Sequence, residues 1–480
     1  MTSRTLRTVA WREWTDLVRD GRFSASGAII LLLLAVALGA AALHVRALRA
    51  ERAAAQQTTY EQWLDQGRRN AHSATHYGIY AFKPQSTLAL VDPGLDRVTG
   101  TATFLESHKR NPLALRPARD SADVWRFADL SAAAILQLLI PLWILLLTFV
   151  SVAGGRESGL LRYLASFGVH PVLVGAGTAL GTALAVGTLV APASVIGAIA
   201  IVLTTTGDVD AVSAGRVLTL AVVYLCCFLV FLALGIAVSA RSRTPRTALL
   251  ALIAFWAAGG LALPRAASDF AAARYPLPSN LEFVHQVNRQ LLESEHDRTA
   301  GLIARTLAEH GVERVDELPF NFTGLDLQDS EELGNRVFDE VYADLYSRMD
   351  AQTRLHQWSS LFSPLQSVRL LSMAVSGTDH AHERHFADAA EEYRRLMVRL
   401  MNDAVRDGLG EVDEGYIGTQ TLNRMADRDV WALVPPFTYT PPGLGAALWA
   451  ARGAAVGLVA WLIAALLLAT LALRRLRVDP

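Results

Sequence analysis

Residues 217–240 read VLTLAVVYLCCFLVFLALGIAVSA, a run without one charged side chain. A bilayer core ~30 Å thick takes about 20 helical residues to cross, so this stretch is long and apolar enough to span a membrane. Working outward, comparable runs flank it at 131–152, 172–203 and 248–263, with a first run at 28–43 and a last at 444–473. In the 28–43 run each Leu, Ile or Val contributes roughly 0.3–0.6 kcal/mol toward insertion. Composition agrees. Of 480 residues, 52% are hydrophobic and only 19% charged, where a soluble chain carries about a quarter charged. The expected fold is an all-α dominated integral membrane protein with six transmembrane helices.

Other classes are excluded by simple counts. With 44 basic against 45 acidic residues the net charge is -1, so there is no cationic surplus to bind nucleic acid. The only cysteines, Cys226 and Cys227, are adjacent inside the quoted run. Neighbours on a helix diverge by about 100° and cannot easily bridge, so neither a disulfide framework nor a cysteine zinc site is expected. The 28–43 run could be a cleaved signal peptide, but Glu13, Asp16 and Asp20 precede it and HVRALRAER follows it, with no small-residue cleavage pattern. A retained anchor is expected.

Short loops give the orientation, because basic residues stay cytoplasmic. The N-terminal stretch carries Arg4, Arg7, Arg12, Arg19 and Arg22, the RSRTPR loop Arg241, Arg243 and Arg246, and the C-terminus Arg474, Arg475 and Arg477. The loop TTTGDVDAVSAG has no Lys or Arg and holds Asp208 and Asp210. A multi-pass protein of the cell membrane with both termini cytoplasmic follows. The 172–203 run is too long for one upright crossing, at roughly 48 Å, and Pro192 interrupts it. Reading it as two spans would put RSRTPR outside, so one tilted or kinked helix is expected. The expected organisation is 1–24 cytoplasmic interfacial helix; 25–47 first span; 48–129 first extracytoplasmic segment; 130–264 spans two to five; 265–442 second, mostly helical extracytoplasmic domain; 443–473 sixth span; 474–480 cytoplasmic tail.

Periodicity supports the helical outer domain. Leu281, Val284, Val287, Leu291 and Leu292 recur at helical steps, as do Phe386, Ala389, Tyr393, Met397 and Leu400, with Asp379 placed to cap and Gly408 and Gly410 to terminate. The first outer segment is thin in apolar residues and is expected to pack on the second. At the N-terminus, Leu6, Ala10, Trp14, Leu17 and Val18 share a helical face with Trp11 and several arginines around it, the pattern of a helix in the headgroup plane with a break at Gly21.

Between spans two and three stands GGRESGLLRYLASFGVHP, residues 154–171. Its apolar part is Leu160, Leu161, Leu164 and Phe167, its polar part Arg156, Glu157 and Arg162. On residues alone it is a short amphipathic surface helix, 154–170. It resembles the coupling-helix region of ABC-2 type transporter permeases, in which an interfacial helix precedes span one and E-x-G-x-L-x-x-L-x-S follows span two. Glu157, Gly159, Leu161, Leu164 and Ser166 match; Leu160 stands where the family commonly has Thr. A second stretch, 363–402, resembles a signature of one branch of these permeases, with large outer inserts and an uncharacterised domain. Ser363, Pro364, Ser372, Gly377, Thr378, Asp379, His382, Phe386, Glu392, Tyr393, Arg394 and Asn402 carry that likeness.

The resemblance implies a permease subunit, an exporter, whose docking helix (Glu157, Gly159, Leu161, Arg162, Tyr163, Ser166) meets a separate ATPase, with Trp11, Trp14 and Leu17 on the interfacial helix. It implies a second permease copy or paralogue, and ATP and magnesium held by the partner ATPase, none by this chain. The chain itself lacks a P-loop: G-x-x-x-x-G-K-[ST] needs a lysine, and only Lys83 and Lys109 exist, both out of context. No catalytic residue is expected. Intramembrane acidic groups are absent from the runs, unlike ion-coupled carriers. An alternative is a force-transmitting or scaffolding membrane protein acting on an envelope or extracellular partner. The least favoured is a metal-dependent hydrolase at His380, His382, Glu383 and His385. That spacing is not H-E-x-x-H, and a cap followed by a polar helical face explains it, so no metal site is expected.

Overall fold

The computed structural model describes residues 2–114, 131–204, 211–294, 298–416 and 419–476. Asp208, Asp210 and Arg477 of the orientation argument lie outside these. The chain is mostly helical with few strands. Among the described residues, six helices are long and apolar enough to cross a membrane: Gly21–Leu64, Ala132–Glu157, Pro171–Ile201, Ala214–Arg241, Pro245–Arg274 and Arg452–Arg474.

Their ends differ from the hydrophobic runs for local reasons. The first helix continues to Leu64, because the chain offers neither Gly nor Pro between Gly39 and Gly67 and is rich in Ala, Arg, Gln and Glu, which favour helix. The third passes through Pro192 as one helix, Pro171–Thr204. The second and fifth each contain a π-helical turn, Ile135–Leu139 and Ala258–Ala262, two residues before Pro141 and Pro264 respectively. A proline ring clashes with the carbonyl four residues back and offers no N–H; the wider turn accommodates both problems without breaking the helix.

The bundle core is built by Ile30, Leu34 and Leu38 of span one, Ile140 and Ile144 of span two, Leu189 of span three, and Cys227 and Phe231 of span four. One end gathers the chain's cytoplasm-predicted pieces. A methyl group on Gly175 would strike Leu473 of span six, and one on Gly177 would strike Val9. The N-terminal helix Thr2–Arg19 ends before Asp20, which caps the next helix by accepting from the Arg22 amide at 2.8 Å. Val9 lies on Gly177 and Glu13 on Gly181. The same four-residue step on both helices sets them side by side. So this helix is docked along the first turns of span three rather than lying apart from the bundle; small glycines allow the close approach. Trp14 and Leu17 pack on the core, while Trp11 stays exposed.

At the other end stands a helical lobe with a small antiparallel sheet, β1 (Ile79–Phe82), β2 (Ala102–Glu106) and β3 (Lys109–Arg110), in that order. Ile79 pairs with Leu105 and Phe82 with Ala102. Trp63, Ile79 and Leu105 from the first outer segment share one core with Phe386, Met397, Met401 and Trp431 from the second. The two segments are therefore one folding unit. Helix Asn280–Ser294 behaves otherwise than its period suggests: only Val287 is buried, and Leu281 and Leu292 are exposed.

The helix Pro364–Ser376 does not belong to the lobe alone. Leu365, Val368, Leu371, Ala374 and Val375 pack into the same core as the spans, and most of its residues are buried. It is wedged among the lobe-side ends of spans four, five and six.

Candidate functional site

The segment 154–170 is two short helices, not one: Ala153–Glu157 and Leu160–Ser166, separated at Gly159, whose φ of 75° lies in the left-handed region. The break turns the second helix so that its faces divide sharply. On the anchored side, Arg156 is buried and donates to the Ala240 carbonyl at 2.6 Å and to that of Ser242. Ser239 Oγ accepts from the amides of Val152 and Ala153, each at 3.1 Å. Leu161 is buried with Val174, Ile236 and Leu473. On the opposite side, Glu157, Leu160, Arg162, Tyr163, Ser166 and Phe167 are exposed, and Tyr163 meets Phe167 edge to face at 4.9 Å between ring centroids. Of the predicted docking residues, Leu161 is thus an anchor, Gly159 is the half-buried break, and Glu157, Arg162, Tyr163 and Ser166 present a surface. Arg156, read as part of a polar face, is the main buried tie.

The 363–402 residues do not form one pocket; they fasten the lobe to the spans and to itself. Ser363 caps Pro364–Ser376 and donates to the Gly259 carbonyl in the π turn of span five at 3.0 Å. Pro364 fills the first turn, and Gly377 closes it with φ 74°. Ser372 Oγ pairs with Tyr224 Oη of span four at 2.8 Å, and Gln137 of span two bonds that hydroxyl and Asp92 at 3.2 Å each. All four groups are buried. Burial pushes the Asp92 carboxyl upward, partly offset by its hydrogen bonds from Ser372, Gly94 and Gln137. Thr378 donates to the Asp92 carbonyl at 3.0 Å. Asp92, which sequence reasoning did not single out, is the hub where lobe and spans meet.

Asp379 caps His380–Arg406 by accepting from the His382 amide, and its Oδ1 also meets His382 Nδ1 at 2.5 Å. Burial raises that carboxyl, but the bond and charge of His382 outweigh it and hold it below the usual range. His385 Nδ1 instead pairs with Tyr439 Oη at 3.1 Å, and His380 faces Glu383 at 4.0 Å. The three histidines have separate partners. Phe386 lies against Phe437 and Tyr439, and Tyr393 donates to the Pro435 carbonyl at 2.7 Å. Glu392 is exposed. Its neighbour Glu391 is the buried one, accepting from Arg394 at 2.8 and 2.9 Å. Arg394 also reaches Glu331 at 3.2 Å and Asn335.

A different histidine group is assembled by the fold. His72, His76 and His108 each bring a ring nitrogen to within 4.8 Å of the others. The first two come from AHSATH, residues 71–76, at the short helix capped by Asn70; the third is in the β2–β3 turn. The H-x-x-x-H spacing of His72 and His76 is legible in sequence, but nothing local joins His108 to it.

The comparisons bear on the outer lobe. Residues 280–440 match a family described as a domain of unknown function (DUF3526). The match lies wholly between spans five and six. No curated protein matches the chain.

Proposed function

We propose that this chain is the membrane-spanning permease subunit of an ATP-binding-cassette transporter of the ABC-2 type, an exporter of the cell membrane driven by a separate ATPase subunit. In this reading both termini and the 154–170 segment are cytoplasmic, the lobe is extracytoplasmic, and a second permease copy or paralogue completes the assembly. ATP and magnesium sit on the partner. The observation that carries the proposal is the division of residues 153–167 into a buried anchor and a free aromatic tip. Force applied at Tyr163 and Phe167 passes through Arg156 and Ser239 directly into span four, rather than dissipating in a mobile loop.

The test is ATP hydrolysis by the co-expressed ATPase subunit, with and without this chain in lipid nanodiscs. Glu157→Arg and Tyr163→Ala change only exposed groups, so the fold should persist while stimulation is lost; stimulation equal to the wild type in both variants would defeat the docking assignment. Arg156→Ala is unsuitable for this purpose because it removes an anchor.

The force-transmitting alternative draws on its own observation, the buried Asp92–Gln137–Tyr224–Ser372 network that locks the lobe to spans two and four. Under it, hydrolysis would move the lobe against an envelope or extracellular partner. Proteoliposomes that hydrolyse ATP yet move no lipid or small amphipathic cargo would favour it over export.

A further inference from the structure

We propose that His72, His76 and His108 form a binding site for a divalent transition-metal ion, zinc foremost, on the outer lobe. The ring centroids stand 5.1, 5.3 and 5.2 Å apart, an almost equilateral triangle. A tetrahedral ion about 2.0–2.1 Å from one nitrogen of each imidazole would separate the centroids by about 5.2 Å. The ring spacing is therefore that of a three-histidine site, and with the nitrogens within 4.8 Å of one another small ring rotations would bring them to the roughly 3.3 Å that a tetrahedral ion requires.

The second observation is the set of partners behind the rings. His72 Nδ1 lies 2.8 Å from Asn402 Oδ1, whose own amide nitrogen donates to Gln328 at 3.1 Å, fixing the oxygen toward the ring. His76 Nδ1 lies 3.1 Å from Ser107 Oγ. His108 Nδ1 lies 2.6 Å from Glu331 Oε1. At His72 and His108 the partner can only accept, so the proton stays on Nδ1 and the Nε2 lone pair is left for a cation, the arrangement by which metal-binding histidines are oriented; the Ser107 hydroxyl can accept from His76 in the same way. Among the described residues no hydrogen bond engages any of the three Nε2 atoms. Glu331 is in turn held by Arg394, so Arg394 and Asn402 both act on the triad from behind.

The backbone contributes a third. His108 has φ 63°, the one non-glycine residue in the left-handed region among those described. Its amide donates to Glu331 at 2.8 Å, which holds the turn in a conformation that costs energy and aims the ring inward. Burial pushes His72 down to about 4, against the hydrogen bond it donates to Asn402 Oδ1, which raises it. Partial burial and then the neighbouring His108 also lower His76. His76 and His108 are solvent-exposed and His72 buried, so a fourth position faces water. The ion would pin the helix at 71–74 to the β2–β3 turn, and three-point imidazole ligation suits zinc, copper or nickel rather than magnesium or calcium.

The experiment uses the untagged full chain in detergent, stripped with chelator and titrated with Zn²⁺, with elemental analysis after desalting. One zinc per chain is expected. His76→Ala and His108→Ala, both at exposed positions, should each abolish it while helicity and thermal midpoint of the metal-free protein hold. Ser107→Ala should weaken binding about tenfold, and His382→Ala should bind as the wild type. Co²⁺ in place of zinc should give the strong visible absorption of a tetrahedral site, absent in His76→Ala. No stoichiometric ion in the wild type, or binding that survives in His76→Ala and His108→Ala, overturns the assignment.

Discussion

Arg394 draws Glu106, Glu331, Asn335 and Glu391 of the lobe together. Its guanidinium is only 1% exposed and faces two carboxylates, Glu331 and Glu391. A buried pair adds little net stability when intact, yet removing one member leaves the other charge desolvated. Arg394→Met should therefore lower stability by about 3–5 kcal/mol, read as a fall in thermal midpoint in detergent. Glu392→Ala, two residues away and exposed, should stay within about 0.5 kcal/mol. The contrast between adjacent Glu391 and Glu392 separates a structural role from mere membership of a sequence pattern.

At the scale of the element, the N-terminal helix sets the Glu13 side chain against Gly181 of span three. Burial against Gly181, reinforced by Asp16 and opposed by Arg12, raises the Glu13 carboxyl from 4.5 to about 7. A carboxyl raised in the folded state favours the protonated form there. Its contribution is therefore complete below about pH 4.5 and is lost as pH rises through about 7. Glu13→Gln should flatten the fall in thermal midpoint across that interval and leave the variant more stable than the wild type at pH 8. A wild type whose midpoint rises over the same interval, with no difference in the variant, would contradict the assignment. Gly181→Leu should expel the helix from span three, seen as faster tryptic cleavage at Arg12 and Arg19.

For the molecule as a whole, lobe and bundle are one cooperative body. Trp63 donates to the Trp431 carbonyl at 3.0 Å across most of the chain's length, and Tyr224 ties span four to Ser372. Trp431→Ala should cost about 3–5 kcal/mol by opening a cavity in the shared core. Tyr224→Phe leaves the ring in place but strips two buried partners of a bond, for about 1–3 kcal/mol. Both losses should appear as a shift of one unfolding transition followed by tryptophan fluorescence and by helicity together. Two separate transitions would mean that the lobe folds independently of the spans.

Six long apolar helices were readable directly, because hydrophobic length is a local property that lipid enforces residue by residue. So were the Asp379 cap and the Gly408 stop, whose chemistry lies within a few positions of the chain. Other features depended on distance in sequence. Nothing near Asp92 announces Gln137, Tyr224 and Ser372; nothing in the period of Pro364–Ser376 says that spans, not lobe, bury it; the apolar stripe at Leu281 and Leu292 gives no sign that it stays uncovered. The histidines show the division best. His380, His382 and His385 cluster in the chain but disperse to separate partners, since one helical turn aims neighbours at different surroundings. His72 and His76 are separated from His108 by strands β1 and β2 and the turns between them, and the antiparallel pairing of β1 with β2 carries them to one point. Sequence fixes what each residue prefers nearby; which distant groups meet is decided by how the packed elements close on one another.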